Sequence, residues 1–258
     1  MIKSLFLFCL PMVASHAFFN GNPQGPALIE EGFIFSKDQP FKFELGYQKD
    51  FVFDMKLGAK NLVDSTFQNS AALYDLAALR LDVWDHYQVY GLVGGVKCYF
   101  AQTLRSDNVV HYTSDSSFTF GVGGKILIYQ GGGFSLGVDG QYRYASLDFP
   151  TIEKEGEYIP QKTAKASFYG FQFGLAASYQ IDFLTPYIGI TYLYQNVHFQ
   201  KIQAHIVSNG DARFHATSRI PFGGLIGVSL SSSKDFALTI ESRFVDENAL
   251  TFSFDFKF

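Results

Sequence analysis

Leu250-Thr251-Phe252-Ser253-Phe254-Asp255-Phe256-Lys257-Phe258 closes the chain, alternating apolar and polar side chains without a break, and four of its five apolar residues are phenylalanine. A strand sends successive side chains to opposite faces, so this segment carries one aromatic face and one polar face. A sandwich strand would bury the aromatic face against a second sheet, yet chain termini belong at the surface. A bilayer removes the conflict. Phe252, Phe254, Phe256 and Phe258 then meet hydrocarbon, Ser253, Asp255 and Lys257 face a lumen, and the terminus rests at the water interface. This is the dyad pattern of the closing strand of an outer-membrane β-barrel.

Composition agrees with a protein whose outer surface is not in water. Of 258 residues, 17% are charged and 17% aromatic, with 29 Phe and 15 Tyr; soluble domains carry about 25% charged residues. No apolar run long enough for a spanning helix follows the N-terminus. A closed barrel is the remaining way to pair every backbone polar group in lipid. A net charge of −4 gives no ground for a nucleic-acid partner.

The first residues read as a secretory signal: Lys3, an apolar stretch from Leu5 to Val13, and the small-x-small site Ser15-His16-Ala17. The expected organisation is a signal peptide over 1–17, a periplasmic or plug-like segment over 18–40, and a transmembrane barrel over 41–258. The mature chain then starts at Phe18 and keeps one cysteine, Cys98, so no internal disulfide forms. Cys98 is expected on the lipid face.

From Phe41 onward, period-two segments recur. Phe41, Phe43, Leu45, Tyr47, Phe51, Phe53 and Met55 share one phase. A second segment runs from about Ala71 to Val83, and later ones are marked by Tyr90, Leu92, Val96, Cys98 and Phe100, then Phe118 to Ile128, Phe134 to Tyr144, Tyr169 to Tyr179, Ile188 to Tyr194, Phe222 to Leu230, and Phe236 to Ile240. The fold class is all-β, a transmembrane antiparallel barrel of about ten strands. Short connections near Trp84-His86, Gln130-Gly133, Ile181-Thr185 and Ser231-Asp235 alternate with long ones. Short periplasmic turns and long outer loops have this arrangement.

Several blocks, in order along the chain, resemble the chlamydial major outer membrane protein family. They are Gly21-Asn22-Pro23 with Pro26 and Leu28, Gly46-Tyr47 with Asp50-Phe51-Val52-Phe53-Asp54, Leu81-Asp82-Val83-Trp84-Asp85 with Tyr87-Gln88-Val89-Tyr90, Thr185-Pro186-Tyr187-Ile188-Gly189, and Glu241-Ser242-Arg243-Phe244-Val245-Asp246-Glu247-Asn248-Ala249. The chain is similar to a short, cysteine-poor member. The resemblance implies a bacterial outer-membrane porin for passive diffusion of small hydrophilic solutes and ions. It also implies a structural part in the envelope, insertion by the outer-membrane assembly machinery, contact with outer-membrane lipid, and a homo-oligomer, a trimer. The shorter loops and the single mature cysteine put adhesive loops and a disulfide-linked envelope role in doubt.

The phase opposite the lipid face names Lys42, Glu44, Asp54, Arg80, Asp82, Lys97, Lys125, Asp139, Arg143, Glu241, Arg243 and Asp255 as lumen-facing, with Asp50, Lys56 and Lys257 beside them. These are eight basic and seven acidic residues, too balanced for strong ion selection and able to pair among themselves. Glycines 91, 95, 121, 123, 137, 170, 174, 189 and 227 fall in the same set and leave volume for water or for a plug from 18–40. Trp84, Tyr129, Tyr179 and Tyr187 suit aromatic girdles at the interfaces. Ten strands lie near the size at which side chains fill a barrel. A closed, non-conducting barrel presenting its loops near Asn108, Glu155 and Asn209 is therefore the alternative to a porin. His86, His111, His198, His205 and His215 match no metal-ligand spacing, and no serine sits in a nucleophile elbow. No catalytic residue, metal or cofactor is expected.

Overall fold

The computed structural model describes residues 18–28, 40–60, 66–104, 108–161, 163–202, 213–231 and 235–258. The signal segment, His205 and Asn209 lie outside them. A single helical turn, α1 (Gly25–Leu28), precedes fifteen strands. These are β1 (Phe41–Met55), β2 (Leu57–Lys60), β3 (Thr66–Val83), β4 (Tyr87–Thr103), β5 (Val109–Thr113), β6 (Ser117–Gly131), β7 (Phe134–Asp148) and β8 (Thr151–Lys154). They continue with β9 (Glu157–Pro160), β10 (Lys165–Tyr179), β11 (Leu184–Gln200), β12 (Arg213–Ser218), β13 (Phe222–Ser231), β14 (Phe236–Phe244) and β15 (Glu247–Lys257).

Five of the wall strands are interrupted once, between β1 and β2, β5 and β6, β7 and β8, β9 and β10, and β12 and β13, so the described residues form ten strands around one wall. Each pairs antiparallel with its sequence neighbour, and β1 closes the circle on β15 from Glu44↔Lys257 to Met55↔Glu247. Closure pairs the backbone groups that an edge strand would leave open. Gly132 and Gly133, both with positive φ, make the tight β6–β7 turn. That turn geometry matches the strand twist and needs residues that tolerate φ > 0.

The outer surface carries the apolar phase. Phe43, Leu45, Val89, Val122, Ile126, Phe173, Ile188, Ile190, Phe222, Phe252 and Phe254 are all exposed. The opposite phase is buried and polar over the half of the barrel nearest the short turns, where Lys42, Glu44, Arg80, Asp82, Asp139, Arg143, Glu241 and Arg243 point inward.

The wall has two tiers. β14 and β15 are the shortest of the ten, joined by Val245 and Asp246 alone. Above that turn β2 pairs directly with β12, from Ser218↔Leu57 to His215↔Lys60, and the Arg219 amide donates to the Lys56 carbonyl. The hairpin is thus bridged over, and eight of the ten wall strands contribute to the outer tier. An eight-stranded barrel is just wide enough for side chains to fill. Long stretches of the outer connections are themselves strands: β5, β8 and β9 pair in series with the outer end of β4.

Candidate functional site, a lumen closed at two levels

In the ten-stranded tier the inward charges form a continuous lattice. Lys257 Nζ lies 3.1 Å from a Glu44 oxygen and 2.7 Å from Asp82, and Gln88 donates to Asp82 at 2.7 Å. Lys42 pairs with Asp85 at the turn (2.7 Å), and Arg80 pairs with Asp255. Tyr90 donates its hydroxyl to Asp139 at 3.0 Å, and Arg143 pairs with Asp50 at 2.8 Å. Arg243 contacts Glu241, lies 3.0 Å from Glu247, and donates to the Thr251 hydroxyl at 2.9 Å. Charges withdrawn from water are tolerated when each has a partner of opposite sign and further hydrogen bonds.

Residues 18–28 occupy the middle of this lattice. The Phe18 amide donates to Glu247 at 3.1 Å; the Asn20 and Gly21 amides donate to Glu241 at 3.1 and 2.8 Å. Lys125 donates to the Asn22 carbonyl at 2.9 Å, and the Gln24 amide nitrogen donates to Gln180 at 3.0 Å. The Arg143 guanidinium lies over the Phe18 ring, 5.1 Å from its centroid. Glycines make the room: a Cβ on Gly174 would overlap the Asn20 amide, and one on Gly170 would stand 2.9 Å from the Phe18 ring. Between segment and wall lie two polar cavities of about 30 and 20 Å³, beside Arg80 and Lys125 and beside Gln48 and Asp139. Each suits a water molecule or two. Recesses of about 800 and 710 Å³ lie on the apolar outer face, lined by Val89, Ile126, Phe173 and Ile190 and by Ile188, Ile226 and Val228.

The eight-stranded tier is filled by aromatic side chains. Phe67, Phe100, Tyr112, Phe149, Phe168, Phe199 and Phe214 are all buried and share one cluster with Met55, Leu57, Val110, Ile152 and Val197. Phe199 stacks on Phe214 with centroids 4.5 Å apart and lies 5.3 Å from both Phe100 and Tyr112. Phe149 contacts Phe199 at 5.9 Å. This is a dry layer across the lumen. Outside it, Asn108 reaches Glu155 and ties the β4–β5 connection to the β8–β9 turn.

Of the residues expected in the lumen, Lys42, Glu44, Arg80, Asp82, Lys125, Asp139, Arg143, Glu241, Arg243 and Asp255 are inward, the last with its side chain 14% exposed. Two are not. Lys97 is exposed and Cys98 is 2% exposed and inward, the reverse of the expected phase. In β4 both phases are apolar: Tyr87, Val89 and Val93 face out, while Leu92, Val96, Cys98 and Phe100 serve the dry layer, which also places Gly91 outside and takes Gly95 out of the inward set. Asp54 is turned outward and pairs with Lys56, because a bulge between Val52 and Asp54 inverts the parity of β1. Tyr187 is not an interface aromatic; it is 3% exposed and donates its hydroxyl to Glu241 at 3.0 Å. Trp84, Tyr129 and Tyr179 stand exposed beside the short turns, and the Phe252 and Phe254 rings lie outside.

The dry layer went unread in the sequence, though β11 carries a signal for it. Its outward phase runs Ile188, Ile190, Tyr192, Tyr194, Asn196, His198, Gln200, from apolar to polar. Its inward phase ends on Val197 and Phe199. The two faces exchange polarity toward the outer end of the strand.

No protein-family model matches the chain. The major outer membrane porin, serovar D, of Chlamydia trachomatis is 20% identical over 391 aligned positions that cover 100% of this chain and 99% of the porin. The major outer membrane porin of Chlamydia muridarum is 20% identical over 401 positions with the same coverage. The alignments are longer than this chain, so these porins carry segments that it lacks. Among solved structures, the translocator domain of the autotransporter NalP from Neisseria meningitidis gives a TM-score of 0.43 at 11% identity, covering 86% of this chain and 89% of that one. The outer membrane protein OprG from Pseudomonas aeruginosa gives 0.41 at 9% identity, covering 89% and 99%. The chain is an outer-membrane β-barrel, multi-pass, with a distant relationship to the chlamydial major outer membrane porins.

Proposed function

We propose that the protein is an outer-membrane channel of the porin kind, passing small hydrophilic solutes and ions, and that it rests shut. The observation that carries this reading is the pairing of a polar, charged ten-stranded lumen with a full-length relationship to porins. The aromatic layer in the narrower tier acts as the gate. A hydrophobic constriction excludes water while dry and conducts when wetted.

Planar-bilayer recording of the refolded mature chain is the test. Brief, infrequent current steps are expected from the native protein, and a larger open fraction from Phe199→Ser and Phe214→Asn, which admit water to the layer, each placed in a Gly174→Leu background that displaces the Asn20 segment from the lower tier. Absence of steps from all three, each verified as folded, overturns the channel. The second reading, a closed barrel that presents its outer hairpins as a scaffold, is favoured by the same dry layer and by the Asn108–Glu155 contact between hairpins; silent bilayers would select it. The trimer belongs to the same proposal and is read by cross-linking in native membranes.

A further inference from the structure

The Glu241–Glu247 pair is built from the segment 241–249 that the sequence resemblance singled out, yet its partners are not a solute. Glu247 accepts from the Phe18 nitrogen at 3.1 Å, from Arg243 at 3.0 Å and from Gln195 at 3.2 Å. Glu241 accepts from the Asn20 and Gly21 nitrogens and from the Tyr187 hydroxyl. Phe18 itself is 1% exposed and belongs to the same buried cluster as Tyr74, Phe168 and Leu193.

Position 18 is also where the sequence places the new N-terminus after signal cleavage. A backbone amide there offers Glu247 one N–H and no charge. A free chain end offers three N–H groups and a full positive charge. Charge bookkeeping asks for a further cation: among the described residues the inward carboxylates are Glu44, Asp50, Asp82, Asp139, Glu241, Asp246, Glu247 and Asp255, eight in all, against six buried cations, Lys42, Arg80, Lys125, Arg143, Arg243 and Lys257. One more ammonium narrows that excess, and the Phe18 nitrogen already stands within hydrogen-bond distance of a carboxylate.

We propose that Glu247, supported by Glu241 and Gln195, is the binding site for a primary ammonium group, the α-amino end of the mature chain at Phe18. An export peptidase supplies it by hydrolysis: water adds to the Ala17–Phe18 amide, the C–N bond breaks, Ala17 leaves as a carboxylate with the signal segment, and the Phe18 nitrogen takes up a proton to become –NH3+. Processing thereby creates the latch that holds residues 18–28 in the lumen, whether or not the lumen ever conducts.

The test uses the mature chain, acetylated at its α-amine while unfolded at pH 6.5, where α-amines react ahead of lysines, and then refolded beside the free-amine chain. In the free form an aminopeptidase should trim Phe18 slowly. Acetylation blocks that enzyme, so release of the segment is read by an endoprotease cutting after Phe19, at Phe19–Asn20, and by the unfolding rate in urea. Acetylation should raise both rates roughly 100-fold or more, the factor expected when one partner of a buried ion pair is lost. Glu247→Gln with a free amine should do the same, and the two changes together should cost no more than either alone. Equal rates for the free and acetylated chains, or effects of acetylation and E247Q that simply add, overturn the latch. Should E247Q fail to fold, the free-against-acetylated comparison decides by itself.

Discussion

Phe199→Ala probes whether the outer tier is a packed core or a loose vestibule. The Phe199 side chain is fully enclosed and meets five aromatic rings: Phe214 at 4.5 Å, Phe100 and Tyr112 at 5.3 Å, Phe67 at 5.8 Å and Phe149 at 5.9 Å. Truncating a buried phenylalanine costs about 3–5 kcal/mol, and the cost grows with the cavity that remains. Each well-placed ring pair adds about 0.5–1.5 kcal/mol beyond area burial. The wall around Phe199 is hydrogen-bonded on both sides, to β10 and to β12, so it cannot collapse into the void. A loss of about 5 kcal/mol is therefore expected. Urea unfolding of the refolded protein measures it, with Trp84, the single tryptophan, as reporter. Trp84 sits at the opposite end of the barrel beside a short turn, so its signal follows global unfolding and not local fraying. A cost below about 1 kcal/mol, the range of ordinary surface substitutions, would refute the packed tier.

Three further outcomes follow from other parts of the wall. Val245, a β-branched residue held at φ 85° in the β14–β15 turn, carries strain worth about 1–3 kcal/mol; Val245→Gly should raise stability by about 1 kcal/mol in the same urea titration, after the entropic cost of glycine. Gly174→Leu places a side chain where Asn20 sits; it should expose the Phe18 end to protease while the barrel keeps its heat-modifiable mobility on gels. His198, at the outer end of β11, has its imidazole pKa held below the usual value by partial burial, then by His215 and Arg213 beside it. The folded state then favours neutral His198, and the unfolded chain binds protons first as pH falls. Stability from this group is complete above about pH 6.5, its unfolded value, and declines below it; His198→Gln should flatten that part of the urea-midpoint profile.

The ten-stranded wall was legible because most spans keep their apolar residues on one phase. In β10, Phe171, Phe173, Leu175 and Tyr179 alternate with Gln172, Gly174 and Ser178, and the outward and inward faces read off directly. β4 defeats that reading: an apolar interior above the polar lumen makes both phases hydrophobic, and the alternation alone does not say which one faces lipid. Asp54 was lost to a one-residue bulge, which flips every later side chain of the strand. Tyr187 looks like an interface aromatic by type, but its hydroxyl has a carboxylate partner from a strand 54 residues away, a contact that periodicity cannot carry. The narrowing to eight strands was equally out of reach, since it depends on β2 pairing with β12 over the top of a hairpin.

Lipid-phase labelling along β11 decides whether hydrocarbon lies outside this wall, on which the lumen, the plug and the gate all depend. Single cysteines introduced from 187 to 193, in the Cys98→Ser background and reconstituted in bilayers, would be reacted with a membrane-soluble maleimide. Positions 188, 190 and 192 should react and positions 187, 191 and 193 should stay protected. Equal reactivity at both sets, or reaction confined to 187, 191 and 193, would contradict the barrel as described.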